Sequence, residues 1–363
     1  MEKNDRNNKK LILETSFLES PFSGIGNYLS TYLKGSKNFE KVEHINCTKV
    51  YNYFKLSIVN DLAKKNRLIR ILRDYFYRLF LLQIFLLKDK NFVLISPYHN
   101  LYLPISKKKY ITTIHDLVFI EKPEYFNGIV FYINKFLLKW SIKNNLAIIT
   151  VSLDTKKRIQ KYCRPKQEIH HIYNSYPENY SNWKINKNIN ENQDFLLYFG
   201  GVDPRKNIPQ LFNIFKTYNK SHGGKLKLVC TKTKESYQQL KGVTHIPDEV
   251  VFLGEISNHE LMNHISQSIG VIYLSEYEGF GRPIMEATAF GKPILVKNLA
   301  VYKEIEGALL IIIEDEKSAI IALLELESMP KSQKCELDLK PKFIQTNNES
   351  TFIKIIEKYI ISI

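Results

Sequence analysis

Residues 275–296, "SEYEGFGRPIMEATAFGKPILV", set two carboxylates, Glu278 and Glu286, on either side of the turn Gly279-Phe280-Gly281-Arg282-Pro283. Carboxylates accept hydrogen bonds from hydroxyls, which is how sugars and riboses are held. Glycines let a ligand come close to the backbone. A helix starting just after them, with proline in its first turn, turns N–H groups and a partial positive charge toward a phosphate. Glu278 precedes that helix and Glu286 lies one turn inside it, so the two can face one crevice yet reach different parts of a long ligand. Taken singly they would read as a loop solvator and an exposed helix residue; the glycine turn between them argues for a site.

A second anion-binding pattern is "FGGVDPRKNIPQLF", where Gly200 and Gly201 end a strand and Arg205 and Lys206 precede a helix. Two fixed cations there suit a diphosphate; alone, they would be solvated loop charges. "ESPFSGIGNYL" places Gly24 and Gly26 between strand and helix, a phosphate-approach pattern without the full dinucleotide fingerprint, or simply a tight turn. In "TTIHDLVFIEKPEYF", His115 and Asp116 stand at the carboxyl end of a strand, where open α/β sheets place ligands. A lone histidine at such a position is also commonly structural.

The elements that must hold these residues are legible in the second half. Short apolar runs, "FLLYFG" at 195, "LKLVC" at 226, "VVFLG" at 250, "GVIYLS" at 270, "KPILV" at 292 and "ALLIII" at 308, alternate with helices. That rhythm predicts a doubly wound parallel sheet. Asn207 is placed to cap one helix, Ser257 with Glu260 forms a capping box for another, and Gly291 is placed to stop the helix carrying Glu286. The first half carries strands at "KLILET" 10, "FVLISP" 92, "YITTIH" 110 and "LAIITVS" 146, which predict a second Rossmann-like domain. The polar, Asn-rich 174–193 reads as the linker, dividing 1–173 from 194–345, with 346–363 as a closing amphipathic helix.

A chain of 363 residues suits two domains. Its 44% apolar and 25% charged composition excludes disorder, and no short repeat suggests a solenoid or propeller. The net charge of +15 is uneven: residues 1–175 hold 30 Lys/Arg against 14 Asp/Glu, the remainder 22 against 23. A basic first half points to an anionic partner, nucleic acid or an acidic membrane surface, or serves solubility alone. The four cysteines, Cys47, Cys163, Cys230 and Cys335, show no zinc or redox spacing and fit a reducing cytosol. The longest apolar run, near 79–87, is too short to span a bilayer, and no signal-peptide pattern follows the N-terminus.

With these motifs in place, the chain resembles the retaining nucleotide-sugar glycosyltransferases of GT-B fold, the large family-four group also called glycosyl transferases group 1, in particular mannosyltransferases of bacterial surface-polysaccharide assembly. The resemblance runs through "FGGVDPRKNIPQLF", "VVFLGEISNHELMNHISQS" and "EGFGRPIMEATAFGKPILV" in order, and reaches "SGIGNYL", "SPYHNLYLP" and "TTIHDLVFIEKPEYF". Residues 35–90 and 175–193 contribute nothing to it. It implies two Rossmann-like domains facing a cleft. Glu286 would hold the donor ribose; Glu278, with the amides of Phe280 and Gly281, would meet the donor sugar; Arg205 and Lys206 would grip the diphosphate. Gly24 and Gly26 would close on the diphosphate from the other domain, His115 would sit beside the sugar, and Asp116 would support that loop or the acceptor. Three positions depart from the family pattern: Arg282 replaces a common apolar residue, Asn27 a frequent arginine, and Arg205 directly precedes Lys206 instead of lying several residues earlier.

The resemblance further implies a nucleotide-sugar donor, GDP-mannose being favoured by the "HDL...KPEYF" and "PRKN" variants, and retention without an enzyme nucleophile. No Asp-x-Asp motif occurs, and "EDE" at 314 lies outside every matched motif, so no metal and no cofactor are expected. For the acceptor, "LAKKNRLIRILRDYFYRLFLLQIFLLK", 62–88, mixes cations with apolar residues over many helical turns. It fits a helix lying on a membrane surface, or a buried helix with one basic edge. A polyprenyl-diphosphate-linked saccharide at the cytoplasmic face of the membrane, with the protein peripheral there, would suit the first. Two rivals stand: a basic nucleic-acid-binding protein, which lacks a recognition-module pattern and leaves the neutral half's motifs unexplained, and a same-fold nucleotide-sugar epimerase or phosphorylase.

Overall fold

The computed structural model describes residues 10–16, 24–88, 91–98, 110–126, 128–176, 180, 194–328 and 338–362. The chain divides into two compact units, residues 1–175 with 342–363, and residues 176–341.

The first unit is built on six strands: β1 (Lys10–Glu14), β2 (Val42–Ile45), β3 (Phe92–Ser96), β4 (Tyr110–Ile114), β5 (Ala147–Thr150) and β6 (Ile169–His171). All are parallel, in the order β2-β1-β3-β4-β5-β6. β3 and β4 are buried at every residue, as strands covered by helices on both faces must be. β2 and β6 escaped the sequence reading because they are edge strands: "VEHI" and "IHH" carry the polar residues an edge tolerates.

The expected long helix over 62–88 is instead segmented into Ser57–Lys65, Arg67–Phe76, a π turn Tyr77–Leu81 and Leu82–Leu86. Asn66 makes the break: its backbone is extended, and its side-chain oxygen accepts from the Ile69 N–H at 3.2 Å, capping the next helix. Tyr77, Leu82 and Phe85 are buried in the core over β1 and β3, whereas Phe76, Phe80 and Ile84 are exposed. The segment is therefore both a packed helix and an exposed one, on opposite sides.

The closing helix, Gln345–Ser362, packs on the helix Gly24–Ser36 of this same unit. Phe352 stacks on Tyr32 at 4.5 Å, and a β-carbon at Gly35 would come within 2.5 Å of the Phe352 ring, so only glycine lets the helices approach this closely.

The second unit repeats the architecture with β7 (Phe195–Tyr198), β8 (Lys227–Thr231), β9 (Val250–Gly254), β10 (Gly270–Tyr273), β11 (Pro293–Val296) and β12 (Leu309–Ile312), one strand at each apolar run read from the sequence. They are parallel in the order β12-β11-β10-β7-β8-β9. The Ser257–Glu260 capping box forms in full at the helix Asn258–Gln267. Asn207 does not cap with its side chain: it takes a left-handed backbone, and its amide donates to Gln210 and Glu276 instead. Among the described residues, no helix is long and apolar enough to cross a membrane.

Candidate functional site

In the second sheet the strand order reverses between β7 and β10, and ligands of open α/β sheets bind at the carboxyl ends of the strands flanking such a reversal. The two loops that leave this point carry the residues singled out by the sequence. After β7 come Gly200, Gly201 and the short 3-10 turn Pro204–Lys206; after β10 come Glu278, the turn Gly279–Gly281 and the helix Arg282–Ala289.

The loops meet through charge. The carboxylate of Glu278 accepts from Arg205 Nη1 at 2.9 Å through one oxygen and from Lys206 Nζ through the other. Arg205 also reaches Asp203 at 2.9 Å and the Tyr277 carbonyl at 3.3 Å, and its own carbonyl receives the Glu276 N–H at 2.9 Å. Glu278 and Lys206 are buried, at 8% and 6% exposure, so each depends on the other for its charge. Burial works to raise the Glu278 pKa, but Lys206 and Arg205 together overcome it and hold the carboxyl below its ordinary value.

Gly281 makes the turn into the helix with φ +94°, a left-handed conformation that other residues rarely adopt, and a β-carbon there would strike the Tyr302 ring at 2.7 Å. Pro283 sits in the first turn and Gly291, at φ +63°, follows the helix end, both at the positions the sequence predicts. Phe280, at the centre of the turn, is buried.

Glu286 does not join Glu278. Its Oε1 lies 2.8 Å from Arg282 Nη2, one turn earlier on the same helix, and its side chain is only 4% exposed. Burial pushes the Glu286 carboxyl up, and the Arg282 guanidinium offsets only part of the rise. The position that departs from the family pattern is thus the partner of the second glutamate.

Two tyrosines that sequence reasoning missed hold the β7 loop from below. The Tyr273 hydroxyl receives the Phe199 N–H at 3.1 Å and donates to the Phe199 carbonyl, while the Tyr198 hydroxyl donates to the Gly201 carbonyl at 2.7 Å. Both are fully buried, and the available signal was a tyrosine closing each of two otherwise wholly apolar strands.

The remaining site residues belong to the first unit, whose strand order reverses between β1 and β3. Gly24 and Gly26 do not form a loop; they lie in the first turn of the helix Gly24–Ser36, and residues 17–23 before them are outside the described residues. His115 follows β4, with Nε2 2.7 Å from the Pro97 carbonyl after β3. A carbonyl only accepts, so Nε2 carries the hydrogen and Nδ1 is left with its lone pair. Burial lowers the His115 pKa and favours the neutral ring. Tyr28, from the glycine-led helix, packs edge-on against that ring at 5.3 Å and donates its hydroxyl to the Ile172 carbonyl. Asp116 turns to its own backbone, accepting from the Val118 N–H at 3.1 Å, which makes it a support for the loop. Among the described residues, no three His, Cys, Asp or Glu side chains gather as a metal-binding set.

Residues 179–335 match the family described as "Glycosyl transferases group 1". The chain is 32% identical to the O-antigen chain mannosyltransferase RfbU of Salmonella typhimurium, over 88% of this chain and 92% of that one. It is 25% identical to O-antigen chain mannosyltransferase B of Escherichia coli, over 82% and 84% of the two chains. The solved structure of WaaG, a glycosyltransferase involved in lipopolysaccharide biosynthesis, superposes with a TM-score of 0.59 at 13% identity, over 97% of each chain.

Proposed function

We propose that this chain, which belongs to the glycosyl transferases group 1 and has their GT-B fold, transfers a mannosyl group from GDP-mannose to a saccharide carried on polyprenyl diphosphate. The product would be an O-antigen- or capsule-type polysaccharide, assembled at the cytoplasmic face of the membrane. The relatives named as O-antigen mannosyltransferases support the sugar and the polymer class. One observation carries the reading: Arg205 and Lys206 converge on Glu278 at the strand-order reversal, putting two fixed cations beside a carboxylate.

In this proposal Arg205 and Lys206 hold the diphosphate and Glu286 accepts from the ribose hydroxyls. Glu278 and the Gly279–Gly281 turn face the donor sugar. The bond from the sugar's anomeric carbon to the phosphate oxygen breaks, and the acceptor hydroxyl bonds to that carbon from the same face. Its proton passes to the leaving phosphate oxygen, giving retention without an enzyme nucleophile. The leaving group gains negative charge as it departs, and preorganised cations are most effective at that moment. Arg205, Lys206 and the start of the helix at Arg282 supply positive charge there, so no metal is required. His115, neutral with Nδ1 as an acceptor, suits a sugar hydroxyl.

Two substitutions test the site. Glu286→Ala and Lys206→Ala are each expected to weaken GDP and GDP-mannose binding by tenfold or more, the scale of a lost charge-assisted hydrogen bond. Unchanged affinity by calorimetry in both would show that the site is misassigned. A thermal-shift screen over nucleotide sugars tests the donor, and activity undiminished by a chelator tests metal independence.

A further inference from the structure

The sheet registers of the first unit reveal a surface that the site does not use. Ile12 pairs with Leu94, and Leu94 with Tyr110; Thr112 pairs with Ile148, and Ile148 with Ile169. Paired residues share a face, and Tyr110, Thr112 and Ile114 share one by alternation. Ile12, Leu94 and Tyr110 are packed by Tyr77, Leu82 and Phe85 of the segmented helix, whereas Ile114, Ile148 and Ile169 are packed by Leu138 and Ile142 of the helix Ile129–Asn144. The two helical stretches therefore cover one and the same face of the sheet, side by side, and their outer surfaces point the same way.

Each outer surface is an apolar stripe. On the segmented helix Leu72, Phe76, Phe80, Ile84 and Leu87 are 47–60% exposed, at spacings of four, four, four and three residues. On the helix Ile129–Asn144, Ile129, Tyr132 and Phe136 are 56–75% exposed, at spacings of three and four. An isolated exposed leucine needs no explanation, but eight large apolar side chains aligned on one side of a unit do. The accompanying charge is strongly positive on balance: the segments 57–65, 67–88 and 129–144 contain ten Lys/Arg against two Asp, and one of those, Asp74, is paired with Arg73. Lys88, at the end of the helix, holds its Nζ over the Phe85 ring at 3.5 Å. Aromatic and aliphatic side chains backed by lysine and arginine are what an acidic lipid surface takes up. A protein partner would also need acids or hydrogen-bonding groups to complement, and these stripes offer few.

We propose that the outer helix layer of the first unit is a membrane-docking face. In it, the stripe on Arg67–Leu87 and the stripe on Ile129–Phe136 insert together into the headgroup boundary of a bilayer rich in anionic phospholipid. The face goes beyond the segment 62–88 by adding a second helix on the same side. Its use in catalysis rests on the lipid-carried acceptor proposed above.

The test is co-sedimentation of the full chain with vesicles of phosphatidylglycerol and phosphatidylcholine, and with pure phosphatidylcholine vesicles, at low and high salt. Phe76→Ser/Phe80→Ser and Tyr132→Ser/Phe136→Ser alter exposed side chains, and thermal melts check that both variants fold. Each pair is expected to lower partitioning onto the anionic vesicles by tenfold or more, with salt and neutral vesicles weakening it as well. GDP affinity stays unchanged, so a failure here is distinct from a failure of the nucleotide site. Absence of binding to anionic vesicles, or full binding after the Tyr132/Phe136 change, would overturn the proposal. Loss by both pairs of a concentration-dependent dimer formed without vesicles would overturn it in favour of a second copy of the chain.

Discussion

Replacing Glu278 with glutamine keeps the side chain's size and part of its hydrogen bonding while removing one charge from between Lys206 and Arg205. Taking one partner from a buried ion pair costs about 3–5 kcal/mol, because the other charge is left uncompensated. Arg205 keeps Asp203 at 2.9 Å, so the orphan is Lys206, at 6% exposure, and the loss falls at the low end, about 3 kcal/mol. Urea unfolding at pH 7 reads it directly. The folded Glu278 carboxyl sits below its ordinary value of 4.5, so its stabilisation is present above that pH and is lost as the pH falls through the folded value. The gap between wild type and variant therefore narrows in acid below about pH 4.5. Binding moves the other way. A carboxylate ~6–8 Å from a diphosphate, at an effective dielectric of about 20, repels it by about 2–3 kcal/mol. Its removal should tighten free GDP by tenfold or more in calorimetry, even as sugar transfer slows. Undiminished stability together with unchanged or weaker GDP binding would refute the reasoning.

Arg282→Leu removes the cation 2.8 Å from Glu286, whose carboxyl burial has already raised, and raises it further. A raised folded pKa costs stability as pH rises through it, so the variant's melting temperature should drop progressively below wild type as the pH rises above the ordinary carboxylate value of 4.5, with GDP binding in the variant strengthening as Glu286 ionises. A constant difference across that range would show that the pair carries no such linkage. Gly281→Ala forces a β-carbon into Tyr302 at φ +94°, and denaturant unfolding should show a loss of about 3 kcal/mol.

The second unit was legible because its inner strands β7, β8, β10 and β11 are almost wholly buried, because its edge strands β9 and β12, though partly exposed, are still unbroken apolar runs, and because its punctuation is chemical: Pro283, Gly291 and the Ser257–Glu260 box each act where the sequence put them. Spacing could indicate that Glu278 and Glu286 flank a turn, but not that they answer to different cations, since Arg205 and Lys206 meet Glu278 across more than seventy residues of chain. Asn207 stands at the N-cap position the sequence indicated, but its left-handed backbone aims its amide elsewhere, so its side chain makes no capping bond. The edge strands β2 and β6 were missed because solvent on one side relaxes the apolar pattern. The π turn at Tyr77–Leu81 has no distinguishing composition, yet it lies where the packed side and the exposed stripe of that helix both continue.

The return of Gln345–Ser362 to the first unit has a consequence for synthesis. The residues that cover Tyr32 and close against Gly35 leave the ribosome after the whole of 176–341. The unit encoded first is therefore the one completed last, and until then the helix Gly24–Ser36 presents an uncovered aromatic face to the nascent-chain environment.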